Sequence, residues 1–283
     1  MPDASAADAP IDRRILPVAV VLVTWAGILA AASRYAWAFY SDDAFISLRY
    51  SARLLQGRGL TWTDGERVEG YSNLLWVLGC AALGALGVDI VPAPRILAAA
   101  GVLALLFAIA RGDDGPDPHR ALSGGLFVAA TGGIGVWIMG GLSQAVVASL
   151  GTLFLVAVRR GSTPPWLLGG LAAALTLLRI DGFVWLIALT VGAVAAGRLG
   201  RRALGVVGAC AALAVGGQQV FRLVYYGDWV PNTARVKVSF TPARAFRGAD
   251  WVADALADNL VLVGVAVVAV ALLRRRDILD API

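Results

Sequence analysis

The sequence predicts an all-α fold, a polytopic transmembrane helix bundle, and three observations carry that prediction. Of 283 residues, 59% are apolar and only 15% charged, with a mean hydropathy of +0.75. A soluble domain carries about 45–50% apolar and about 25% charged residues, because water must solvate its surface. The apolar residues fall in runs of roughly 15–20, a length that suits membrane helices and exceeds a barrel strand. The basic residues stand mostly as arginine pairs and triplets beside those runs. That is the footprint of membrane topology, so the net charge of +5 does not point to nucleic acid.

The elements follow in order. Residues 1–14 are polar and then basic, ending in Arg13-Arg14, and form a cytoplasmic tail. The apolar run from Ile15 to Ala32 is too long for a signal-peptide core and reads as a retained first helix. Further crossings are expected at about 96–110, 121–139, 142–158, 166–178, 182–196, 203–221 and 259–273, giving about eight spans in a transmembrane domain 15–273. Arg159-Arg160, Arg198 with Arg201-Arg202, and Arg274 to Arg276 mark the inside, so the tail 274–283 is cytoplasmic as well. The protein is expected in the inner (plasma) membrane with both termini inside.

Residues 73–95 break simple counting. A full crossing by Leu74 to Val88 would turn every later arginine cluster outward, so this stretch reads as an outer re-entrant or juxtamembrane hairpin, interrupted by Gly79, Gly84, Gly87, Pro92 and Pro94. A conventional second crossing is the alternative, because positive-inside is a bias and not a law.

This threading gathers three polar segments on one outer face: loop 34–72, the turn Arg179-Ile180-Asp181, and segment 225–258. The first is too long for a connector. Within it, Phe45, Leu48, Ala52 and Leu55 share one helical stripe and Arg49, Arg53 and Gln56 another. Ser41 or Asp42 can cap this surface helix and Gly57 can end it. Asp42 and Asp43 at its amino end are either capping carboxylates or a general base beside a second acid. As a pair they could also hold a divalent cation, Mg²⁺ or Mn²⁺, with phosphate oxygens completing the shell, though no third ligand is evident. Glu69 adds acid, and Tyr71 and Trp62 offer faces for a sugar ring or anchors at the headgroups. Arg179 and Asp181 lie between two apolar runs, as a local pair or as the wall of a cavity. Asn232 closes a Pro-Asn turn, after which Arg235 and Lys237, the chain's single lysine, could hold a lipid phosphate or remain solvated rim charges. Cys80 and Cys210 read as buried hydrophobes, and the lone His119 lacks co-ligands for a metal.

The runs D-D-A-F-I-S-L-R-Y-S-A-R-L-L-Q-G-R-G-L, G-E-R-V-E-G-Y-S-N-L-L-W, R-I-D-G and Y-Y-G-D-W-V-P-N-T-A-R-V-K resemble, in order, the bacterial GT-C membrane glycosyltransferases of the mycobacterial arabinofuranosyltransferase (AftB) and ZomB type. The resemblance implies a GT-C-like bundle that transfers a sugar from a polyprenyl-phosphate donor to a cell-envelope glycan or lipid acceptor on the outer face. It implies Asp42 as catalytic base with Asp43 beside it. It matches Arg179 to Asp181 to an R-P-D turn, and Pro231, Asn232, Thr233 and Lys237 to a P-N-T-x-x-x-K element. The chain departs from the pattern at Gly141-Leu142-Ser143-Gln144, where relatives carry G-L-E-T, and at Ile180. It is also shorter than such relatives. A second reading is therefore a non-catalytic membrane subunit or one part of a split enzyme, completed by a partner chain.

Overall fold

A computed structural model describes residues 15–112, 115–130, 133–237, 241–258, 260 and 264. The predicted tails 1–14 and 274–283, and all but two positions of the predicted crossing 259–273, lie outside the described residues. The chain divides into two units, residues 1–234 and 235–283, at a boundary inside the segment 225–258.

The described residues are mostly helical. In the first unit α1 is Ile15–Ala36, α2 Asp42–Leu55, α3 Leu74–Ala85 and α4 Ala93–Ala110. They are followed by α5 Pro118–Ala130, α6 Gly133–Met139, α7 Gln144–Arg160, α8 Pro165–Leu178, α9 Gly182–Ala195 and α10 Arg201–Tyr226. The short α11 is Asn232–Lys237, and the second unit contains α12, Pro242–Asp258. Between α4 and α5 the strands β1 Arg111–Gly112 and β2 Gly115–Pro116 form a small antiparallel ladder that the all-α expectation did not include.

Length corrects the count of eight spans. Among the described residues only α1, α4 and α10 are long and apolar enough to cross a bilayer, or four elements if α5 and α6, bent by 74°, act as one. The helices α8 and α9 have 14 residues each, about 21 Å at 1.5 Å per residue, against a hydrocarbon core about 30 Å thick. With 12 residues α3 is shorter still. Pro92 and Pro94 stand at the start of α4, where proline fits a helix's first turn.

Packing in the first unit follows small residues. A methyl group at Gly169 of α8 would meet Cys210 Sγ of α10 at 2.6 Å, so only glycine lets these helices come so close. The Trp25 indole of α1 donates to the Ala99 carbonyl of α4 at 3.0 Å, which satisfies its N–H inside an apolar contact. One apolar core joins α1, α3, α4, α5 and α6 through residues such as Val21, Trp76, Val102 and Ile138. A second joins α7 to α10 through Phe154, Ala172 and Leu175.

Hydrogen bonds sort the connecting loops into two ends. At one end Ser41 N donates to Gly140 O at 3.0 Å, Trp76 Nε1 to Gly141 O at 3.2 Å, and Ile180 N to Ser72 O at 2.9 Å. Tyr226 Oη donates there to Leu60 O at 2.7 Å. At the other end Arg160 Nη2 donates at 2.9 Å to the carbonyls of Ala108 and Arg111. The three polar segments that the sequence assigns to one face, up to Asn232, thus share one end of the first unit.

Candidate functional site

That shared end is built on α2. Asp42 and Asp43 occupy the first turn, where carboxylates complement the helix dipole, and Arg53 the last. Ser41 holds the extended N-cap backbone but makes no side-chain capping bond, and Asp42 Oδ1 instead accepts from Asp43 N at 2.9 Å. Gln56 caps the other end, followed by Gly57 with φ +72°. The buried face of α2 differs from the expected apolar stripe. It consists of Ala44, Ser47, Leu48, Tyr50, Ser51 and Arg53, whereas Phe45 and Leu55 are exposed. Two hydroxyls explain the difference: Ser47 Oγ donates to Asn73 Oδ1 and Ser51 Oγ to Val77 O, at 3.1 and 2.8 Å, so small polar residues let α3 approach closely.

Asp42 and Asp43 are exposed, and Arg49 is exposed as well. Seven residues separate Asp42 from Arg49, which places them on one stripe of α2, about 10.5 Å apart along its axis. Arg49 Nε donates to Trp62 O at 3.2 Å, and the guanidinium carbon lies 6.0 Å from the Trp62 ring centre. The strap between α1 and α2 is held by Arg95 at the start of α4. Its Nε donates to Met139 O at 2.9 Å and its Nη2 to Trp37 O and Phe39 O at 2.9 and 3.2 Å. The same guanidinium lies 4.9 Å from the Trp37 ring and 5.0 Å from the Tyr40 ring. Burial pushes the Tyr40 phenol up to about 12 against the opposing pull of Arg95, and its hydroxyl donates to Val91 O at 2.8 Å. Gly141, at φ +78°, lies under the Tyr40 ring, where a Cβ would clash at 2.5 Å.

Glu69 and Tyr71 are not surface ligands here. Glu69 is buried and pairs with the equally buried Arg222 of α10, Nε to Oε2 at 2.5 Å and Nη2 to Oε1 at 3.2 Å. Gln219 Oε1 accepts from Arg222 Nη1 at 2.6 Å. Burial raises the Glu69 carboxyl above its ordinary value, and the hydrogen bond and charge of Arg222 pull against that rise. Tyr71 is 2% exposed and packs edge-on to Tyr50, with Tyr226 Oη at 3.1 Å from its own hydroxyl. Tyr50 Oη accepts from Gly70 N at 2.8 Å and donates to Val68 O at 2.5 Å. The loop after α2 is thereby stitched to α10 by phenols and one ion pair. At its base Asp64 bridges Arg53 and Arg58, and the hydrogen bond from Arg53 holds the Asp64 carboxyl below its usual range.

Arg179 and Asp181 pair with each other, Nε to Oδ1 at 2.7 Å and Nη2 to Oδ2 at 3.2 Å. Burial tends to raise Asp181, but the Arg179 hydrogen bond and charge outweigh it and hold the carboxyl low. Asn232 starts α11, its backbone N donating to Glu69 O at 2.9 Å. Arg235 is exposed on α11 and belongs to the second unit. Lys237 ends α11, and its side chain lies outside the described residues. Asp42, Glu69, Tyr71, Asp181 and Asn232 therefore belong to one end of the first unit. Among the described residues no cluster of three or more His, Cys, Asp or Glu is placed to hold a metal ion.

Arg95 and Arg222 are the residues the sequence reading passed over. Arg222 carried a signal, as an ionisable residue one position beyond the apolar run 203–221. Arg95 carried none, because its partners are backbone carbonyls. Compared with protein-family models, curated proteins and solved structures, the chain finds no match in any of the three.

Proposed function

We propose that the chain is a GT-C-like membrane glycosyltransferase that moves a sugar from a polyprenyl-phosphate donor to an envelope glycan or lipid acceptor on the outer face. The observation that carries this reading is the placement of Asp42 and Arg49 on one exposed stripe of α2. An acceptor hydroxyl is a weak nucleophile near neutral pH. In the proposed step Asp42 takes its proton as the oxygen bonds to the anomeric carbon, while the bond from that carbon to the phosphate oxygen breaks. The phosphate leaves with the electron pair, and a guanidinium such as Arg49 stabilises its charge. Asp43 is a further candidate for tuning the base, and Arg179 with Asp181 for the cavity wall. A divalent cation at Asp42 and Asp43 would add to the phosphate's neutralisation, and loss of transfer on chelation tests for it.

The trial is transfer from radiolabelled polyprenyl-phosphate pentoses and hexoses in membranes holding Asp42→Asn at wild-type abundance. The expected loss is about a hundredfold or more. Undiminished transfer overturns the assignment of the base.

One observation favours the second reading, a non-catalytic subunit or part of a split enzyme. The helix α10 buries only Val207 and Arg222 along its 26 residues, which leaves an apolar face for another chain. Transfer that appears only when a second membrane protein is co-purified would support that reading.

A further inference from the structure

We infer that α12 lies in the plane of the bilayer surface with its Phe246–Leu256 face inserted among the lipids, so that the second unit carries a membrane-docking helix of its own. This needs only that the chain crosses a membrane and is independent of the glycosyl-transfer reading. At 100° per residue, Ala245, Phe246, Ala249, Val252, Ala253 and Leu256 fall within an arc of about 120°. The charged residues Arg244, Arg247, Asp250, Asp254 and Asp258 all fall on the opposite side. No residue of α12 is buried; Phe246 is 73% exposed, Val252 51% and Leu256 52%. Within the described residues of its own unit nothing packs on this sorted apolar face, so its cover comes from elsewhere.

One observation selects lipid as the cover. Asp258 is followed by Asn259 and then by residues 260–273, which carry no charge. A chain that enters the bilayer there leaves the end of α12 at its surface, within reach of the acyl region. The charges of α12 run against its dipole. Its arginines stand in the first two turns, and the last turn has Asp254 and Asp258 with no basic residue. That order disfavours a free helix in water, so burial of the apolar face must supply what the charges withdraw. The polar face carries three acids and two cations, so insertion is driven by the apolar face and needs no anionic lipid.

The test uses the full chain, with Cys80→Ala and Cys210→Ala, reconstituted in phosphatidylcholine vesicles with and without phosphatidylglycerol. Single nitroxides are placed through Phe246→Cys, Leu256→Cys, Asp250→Cys and Asp254→Cys. Oxygen should relax positions 246 and 256 and a water-soluble nickel chelate positions 250 and 254, equally in both lipid mixtures. Nickel access that is the same at all four positions would place the face in water and overturn the inference. Exclusion of both reagents at 246 and 256 would show a protein cover, a second copy included, and overturn it too. Should the cysteine-free chain fail to fold, Leu256→Trp and Asp254→Trp in the native background provide the same contrast. Brominated lipid should quench the added fluorescence at 256 and spare it at 254, and equal quenching rejects the inference.

Discussion

Glu69 and Arg222 stand 153 residues apart in sequence and meet in a two-point ion pair whose side chains are 3% and 6% exposed. The pair fastens the loop after α2 to the end of α10, and Gln219 takes up a further guanidinium N–H. Removing one partner leaves a buried charge without compensation, which costs about 3–5 kcal/mol, whereas replacing both by apolar residues of similar size is often close to neutral. Glu69→Met and Arg222→Met should therefore each lower the thermal midpoint sharply, and the double variant should recover most of the loss. A scanning fluorescence melt of the four proteins decides it: additive losses would show that the pair is not a coupled unit.

Asp64 gives a pH dependence with a defined sign. Its carboxyl is held below the ordinary value of 3.8 by the Arg53 hydrogen bond, so the folded chain binds that proton less readily than the unfolded chain. The stability it contributes is complete above 3.8 and is lost as pH falls through the lower native value. Asp64→Asn should be less stable than the parent near neutrality, and the gap should close in acid. Melting both proteins from pH 7 downward checks this, and a gap that widens in acid refutes it.

The strap before Asp42 depends on Arg95. Three carbonyls and two aromatic rings share this guanidinium, and charge-assisted hydrogen bonds contribute about 1.5–3 kcal/mol each. Lysine has a point charge and no planar fork, so it cannot reach three carbonyls while stacking on a ring. Arg95→Lys should expose the peptide bond after Arg34 to trypsin under conditions where the parent resists, without abolishing the fold. Equal cleavage of variant and parent would mean that the strap is held by Ser41 and Tyr40 alone.

What was legible in the sequence was whatever depends on neighbours along the chain. The composition gives the helical membrane class, the start at Asp42 and the stop near Gly57 give α2, and the three glycines with two prolines give the break around residues 73–95. What was not legible depends on partners far away. Phe45 and Leu55 look like a buried stripe until Ser47 and Ser51 take the contact with α3. Tyr71 looks like a platform for a sugar, yet Tyr50 and Tyr226 enclose it. The run lengths predict eight spans because each apolar segment reads as a crossing, whereas the folded helices α8 and α9 stop at 14 residues each.

Topology is the prediction on which the proposed site depends most. The bond from Tyr226 to Leu60 and the bond from Ile180 to Ser72 tie the end of α10, the turn after α8 and the loop after α2 to one end of the first unit. Arg160, at the close of α7, reaches instead to Ala108 and Arg111 at the close of α4. With Arg159-Arg160 and Arg201-Arg202 inside, positions 64 and 227 should both lie outside and position 161 inside. Single cysteines at Asp64, Gly161 and Gly227, in a background lacking Cys80 and Cys210, are then treated in whole cells with an impermeant thiol reagent. Labelling is expected at 64 and 227 and not at 161. Labelling at 161 with protection at 64 and 227 would turn the bundle over and put Asp42 on the cytoplasmic side. Labelling at 64 with protection at 227 would separate two loops that Tyr226 and Leu60 join, and no single outer site could then contain Asp42 and Asn232.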